Sequence, residues 1–180
     1  MSERLQLRAV DADDLSILGA YLQDALVPVS DMCFLSAENR FVLVANRFRW
    51  EKLEAPDGDA SQDRASAKPA GEPGETYERV HCGITFEHVK RVKSLGFAPG
   101  AAVDQGRLLE VLTIINEDND VANEITMVFS GNTAVKLEVD AVEVFVQDLG
   151  EPWPTMWRPH HPVEEGPDQE EGPEPEDASG

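Results

Sequence analysis

The sequence predicts an α+β domain. Its core would be a strongly bent antiparallel sheet, or partly open barrel, of about seven or eight strands with one N-terminal helix. Three observations carry that expectation. Residues 124–149, EITMVFSGNTAVKLEVDAVEVFVQDL, alternate apolar and polar side chains through consecutive runs. Only residues 11–26 give a strong helical spacing of apolar side chains. Strand–helix–strand alternation, the mark of a parallel sheet, is missing from the pattern.

In chain order, Leu5, Leu7 and Ala9 alternate with polar neighbours and predict a short strand over residues 4–9. Asp11 is placed to cap a helix, with Asp13 and Asp14 in the first turn, where the helix dipole favours acids. Leu15, Leu18, Leu22, Ala25 and Leu26 form one apolar stripe bordered by Tyr21, and Pro28 ends the helix at the latest.

Residues 29–35 and 40–50 read as two strands joined by the four-residue loop Ser36-Ala37-Glu38-Asn39. Residues 41–45 are nearly continuously apolar, which suggests burial on both faces. Beyond them, Arg47 and Arg49 would share one face, and Phe48 and Trp50 the other.

Residues 53–75 are rich in Pro, Gly, Ala, Ser and Asp, with almost no large apolar residue. Such a segment cannot offset its ordering entropy by burial, so it is expected to be a disordered inserted loop. In residues 77–93, Val80, Cys82, Ile84 and Phe86 share a face and Val89 and Val92 keep an apolar side; Gly83 suggests a bulge or close backbone approach. A loop over residues 94–107 leads to a buried strand, 108–115, and a polar turn, 116–123.

Ile125, Met127 and Phe129, then Val135, Leu137 and Val139, alternate on either side of a Ser-Gly-Asn-Thr turn and predict a hairpin. The apolar phase slips at Asp140-Ala141. Residues 140–149 then admit two readings. Asp140 as a cap with Val142, Phe145, Val146 and Leu149 would make a helical stripe. The density of β-branched and aromatic residues favours a strand after a bulge. After Leu149 the chain is expected to leave the sheet, with Trp153, Met156 and Trp157 stapling it to the body. One globular domain over residues 1–158 and a disordered acidic tail over 159–180 follow from this pattern.

The chain of 180 residues carries a formal charge of −20. Residues 151–180 hold nine acids and one arginine, −8, leaving 26 acids and 14 basic residues, −12, in residues 1–150. The body is therefore acidic without its tail. Nucleic acid and anionic membranes both demand a basic footprint, and both are disfavoured as partners. The N-terminus lacks a signal pattern, no apolar run approaches a bilayer span, and two cysteines suit a reducing compartment. The expected location is cytoplasmic.

The stretches from Asp11 to Ala25, from Arg47 to Glu51 and from Leu137 to Gly150 together resemble an uncharacterised bacterial family, a domain of unknown function of alphaproteobacterial type. The resemblance covers most of residues 5–158 and implies a bacterial cytosolic protein, with no activity or site to carry over. The bent sheet is also similar in organisation to pleckstrin-homology-type domains, an architectural likeness that does not fix function.

No residue pattern predicts a catalytic, cofactor or metal site. His81 and Cys82 are strand neighbours and would point to opposite faces, which leaves a zinc ion short of ligands with His88 alone. Cys82 with His88 is conceivable as a nucleophile and base across a bent strand, but motif-free Cys/His pairs are common by chance; an approach of Cys33 to Cys82 across the sheet is not encoded in the sequence. His160-His161 falls in the tail. Glu138 with Glu143, and Asp118 with Asp120, are candidate acid–base pairs for which solvation is the commoner role.

The exceptions to the acidic background are Arg47, Arg49, Arg79, Lys90, Arg91 and Lys93. If their strands are neighbours, Arg47, Arg49, Lys90, Arg91 and Lys93 form a basic strip for an anion or an acidic partner segment. The tail from Glu164 to Asp177 is one such segment. The competing role is surface ion pairing, worth under about 1 kcal/mol each. The expected function is a non-enzymatic protein-interaction module that binds a protein partner or a second copy of itself. The alternative is a small-ligand binder or enzyme whose site lies at the sheet's mouth, lined by Arg47, Arg49, Trp50 and His88.

Overall fold

A computed structural model describes residues 4–53, 77–99, 102–104, 106–118 and 123–159. The inserted segment 53–75, apart from Leu53, and the tail 159–180, apart from Pro159, lie outside the described residues.

The helix forms where its signals predict. Helix α1, Ala12–Leu22, is capped by Asp11, whose Oδ1 accepts from the Asp14 amide at 2.8 Å. Leu15, Leu18 and Leu22 are buried, each worth about 1.5–3 kcal/mol of transfer free energy. The helix stops at Leu22, six residues before Pro28, and Asp24 turns into the left-handed region at φ 61°. Ala25 and Leu26, expected on the helical stripe, therefore belong to the turn and to strand β2, Leu26–Pro28.

Ten strands are formed among the described residues. Strand β1 is Gln6–Ala9, β3 Met32–Leu35, β4 Arg40–Phe48, β5 Tyr77–Phe86, β6 Val89–Leu95, β7 Leu108–Asp118, β8 Asn123–Phe129, β9 Thr133–Val139 and β10 Val144–Thr155. The count exceeds the sequence expectation for two reasons. Leu26–Pro28, expected at the end of the helix, forms β2, and a 3-10 turn at Val29–Asp31 takes the start of the expected 29–35 strand, leaving β3. The apolar run 77–93 folds at Glu87-His88 into β5 and β6, with His88 at φ 59°.

All pairings are antiparallel, in the order β1-β10-β5-β4-β2-β7-β8-β9-β6, with β3 also on β4. The sheet bends so far that the start of β6 returns to the β3–β4 loop, where the Val89 amide donates to the Asn39 carbonyl at 2.7 Å. It does not close: β1 and β6 remain its two ends. The enclosed core runs from Leu15, Leu18 and Leu22 through Phe41, Ile84 and Phe86 to Met127, Phe129 and Leu137. The helix backbone packs on β7 at Gly19, where a Cβ would meet Ile114 at an ordinary contact distance of 3.8 Å. No helix among the described residues is long and apolar enough to cross a membrane.

Residues 140–149 resolve in favour of a strand. After a turn at Asp140-Ala141, β10 runs twelve residues, and the chain does not leave the sheet at Leu149. A register shift between Leu149 and Trp153, around Gly150 at φ 85°, carries it onward to pair with Tyr77–Arg79. Trp153 stacks on His81 with ring centroids 4.5 Å apart, whereas Met156 and Trp157 are exposed and staple nothing.

Candidate functional site

Period-two counting from Phe41 explains where the arginines go. Phe41, Leu43 and Ala45 face the core, and Arg47 is next in phase. On β10, Val144 and Val146 face inward, and Asp148 is next in phase. The long Arg47 side chain therefore reaches across β5 on the core side. Its Nε donates to Asp148 Oδ1 at 2.7 Å and its Nη2 to Oδ2 at 2.9 Å. Glu51 accepts two more bonds from Arg47, at 2.9 and 3.1 Å, and one from Arg49 at 3.2 Å. Arg49 also donates to Glu78 at 2.6 Å. Burial opposes the Arg47 charge, but the bonds to Asp148 and Glu51 outweigh it and raise its pKa. Glu51 shows the mirror image: burial works to raise its pKa, and the Arg47 bond holds it below the ordinary value.

Arg47 is fully buried and Arg49 nearly so, which corrects the expectation of a single basic strip. Arg47 also lies six residues along β4 from Phe41, about 20 Å, and it is Phe41 whose partner Phe86 ends β5 just before the turn into β6. The five residues thus separate into an internal ionic network and an exposed group on β6.

The exposed group has a defined geometry. Within β6, Val92 and Ser94 pair with the buried Leu137 and Val135, so they face inward. Arg91, Lys93 and Leu95 pair with Glu138, Lys136 and Ala134 and face outward. Arg91 pairs with Glu138 at 3.3 Å, and the exposed Lys90, at the register shift between Val89 and Arg91, pairs with Asp140. Lys136 bridges Glu124 at 2.9 Å and Glu117 at 3.4 Å. Its bond to Glu124 raises the Lys136 pKa and lowers that of Glu124.

Lys93 stands directly opposite Lys136 and makes no ion pair among the described residues. In the same cross-strand row the Thr126 hydroxyl is buried without a hydrogen-bond partner. Beyond Val89, whose amide reaches Asn39 beside β4, the outer edge of β6 pairs with no further strand among the described residues. Every second residue of such an edge turns its N–H and C=O away from the ladder.

The remaining candidates do not converge. Cys82 is buried in the core, and burial pushes its thiol up to about 12. His81 lies on the opposite face, and His88 sits at an exposed turn bonded to Glu143 at 2.9 Å. Cys33 is exposed on the outer face, so the cysteines do not meet. Glu138 and Glu143 have separate partners, Arg91 for the first and Arg8 with His88 for the second. Asp120, the side chain of Asp118, and His160-His161 are outside the described residues. Among the described residues no group of three or more His, Cys, Asp or Glu side chains is placed to hold a metal ion.

At the mouth of the sheet, Ala20, Tyr21, Trp50 and Glu51 line a cleft of about 180 Å³. Trp50 is held there by its indole N–H bond to the Gln23 carbonyl and by packing on Phe48. Of the residues expected at this mouth, Trp50 lines it, Arg47 and Arg49 lie behind Glu51, and His88 lies at the β5–β6 turn. Sequence reading missed Asp148, although its phase with Val144 and Val146 marks it as inward-facing. It also missed Lys136 and Tyr21, which only strand pairing and helix docking bring to these places.

The family model described as "Protein of unknown function (DUF2948)" matches residues 5–161, and the chain belongs to that family. No curated protein and no solved structure matches it.

Proposed function

We propose that this member of the family is a non-enzymatic protein-interaction module of the bacterial cytosol, and that its contact surface is the open edge of β6. The carrying observation is the coincidence on one edge strand of exposed cations, Lys90, Arg91 and Lys93, with an exposed apolar side chain, Leu95. Such an edge is a template for another chain. Lys90 and Arg91 have exposed carboxylate partners, Asp140 and Glu138, whereas Arg47, Arg49 and Arg79 are turned inward to acids or carbonyls of the same domain.

The test is affinity capture from the native cytosol with the full chain as bait, against a Lys90/Arg91/Lys93→Ala control. A stoichiometric protein lost in the control supports the reading. A protein retained equally by both baits places the contact elsewhere, and a clean lane in both contradicts the module.

The second reading is a small-ligand site at the cleft lined by Tyr21, Trp50 and Glu51. Two aromatic side chains beside a carboxylate favour it. Its size counts against it, because sites for drug-sized ligands run from about 300 Å³ upward. A thermal-shift screen in which Trp50→Ala abolishes a ligand's effect would support it.

A further inference from the structure

We infer that the β6 edge takes an extended acidic segment of a partner protein by strand addition, with acidic side chains beside Arg91 and Lys93 and an apolar one beside Leu95. This rests on the interaction-module reading and specifies the partner's chemistry. The pattern comes from the register. Arg91, Lys93 and Leu95 share the outward face, so an added strand sets alternate residues next to them. An acidic–x–acidic–x–apolar sequence, in either chain direction, matches all three.

Two further observations point to an anionic neighbour at the centre. Lys93 and Lys136 are directly opposed, an arrangement of like charges that costs a ladder stability; Glu124 and Glu117 answer Lys136 directly, whereas Lys93 feels Glu124 only at longer range and has no carboxylate at ion-pair distance among the described residues. A carboxylate at the next position in that row would sit beside Lys93 and offset the repulsion. Glu138 already relieves Arg91 on its inner side, which leaves Lys93 as the stronger determinant.

The alternatives on this chain fit less well. Two β6 edges paired with each other would set cations against cations across the new ladder. Residues 159–180 carry proline at 159, 162, 167, 173 and 175, and proline cannot donate to a ladder. A proline-free acidic segment of another protein meets both requirements.

The test uses the full chain and three fluorescein-labelled peptides. The first has a proline-free core Glu-Thr-Glu-Thr-Val or its reverse, the second is a scramble of equal composition, and the third is N-methylated at alternate residues. The core peptide should bind saturably by anisotropy, shift the NMR amides of residues 91–95, and weaken about tenfold on N-methylation and about tenfold with Lys93→Glu. The N-methylated peptide keeps the test valid should the Lys93 variant misfold.

Equal binding of all three peptides, or none, overturns the inference. So do shifts of the 91–95 amides on raising salt without peptide, which assign the edge to the chain's own tail, or on dilution, which assign it to a second copy. If the peptides fail while capture still yields a partner lost in the Lys90/Arg91/Lys93→Ala control, only the acidic-strand chemistry is wrong. If capture fails while the core peptide binds, the module reading is what needs replacing.

Discussion

Arg47 and Asp148 meet across strand β5, joined by two hydrogen bonds of 2.7 and 2.9 Å between residues 101 positions apart in sequence. Both side chains are almost wholly excluded from solvent, and Asp148 also accepts from the Leu5 amide at 2.9 Å. One carboxylate therefore ties together β4, β10 and the start of the chain.

Removing that carboxylate leaves a buried guanidinium with only Glu51 to answer it. Asp148→Ala is expected to cost about 3–5 kcal/mol in urea unfolding. The double variant Arg47→Met/Asp148→Ala should cost clearly less than the two single changes added together, because the stranded charge is gone. Additive losses would mean that the pair is not coupled.

Gly96 follows β6 at φ 77°, and a Cβ there would lie 2.8 Å from the Asn132 carbonyl oxygen and from a Thr133 methyl. Both contacts belong to the β8–β9 turn, so the backbone has to give. Gly96→Ala should destabilise by more than about 1 kcal/mol, while Gly131→Ala, where nothing lies within 4 Å, should pay only for its positive φ. Comparable melting temperatures for the two variants would contradict the packing argument.

The thiols should separate by accessibility. At pH 8 a thiol reagent should modify the exposed Cys33 quickly and leave Cys82, buried and with its pKa near 12, intact until the chain unfolds. Two fast thiols in the native protein would mean that the β4–β5 core opens readily.

Glu51 gives the pH dependence a sign. Its folded pKa lies below the ordinary value of 4.5, so its contribution is complete above that value and is lost as pH falls through the folded pKa. Thermal melts from about pH 7 down to pH 3 should therefore show Glu51→Gln less stable at neutral pH, with its curve converging on the parent's in acid. Parallel curves across the range would remove Glu51 from the account.

These contacts also show how far the sequence could be read. The hairpin of β8 and β9 and the helix cap at Asp11 were legible because each is decided by neighbours within a few residues. Strand β10 was legible as β only against a competing helical stripe, and its extension past Gly150 was not, because pairing with Tyr77–Arg79 supplies the reason for it. Arg47 was misplaced at the surface because composition argued louder than phase. Its membership of the Phe41, Leu43, Ala45 row carried the correct answer, but the partner that makes burial tolerable lies 101 residues away. Of the basic residues, Lys90, Arg91 and Lys93 could be picked out from sequence. That they lie on a sheet edge depends on strand order, which no local pattern encodes.

The central claim is that the β6 edge is where a partner docks. Amide hydrogen exchange of the full chain, alone and with the captured partner, tests it most directly. Amides of residues 91–95 should slow by about tenfold or more in the complex, with Tyr21, Trp50 and Glu51 unchanged. Protection centred on the Trp50 cleft, with β6 exchanging as in the free chain, would contradict it.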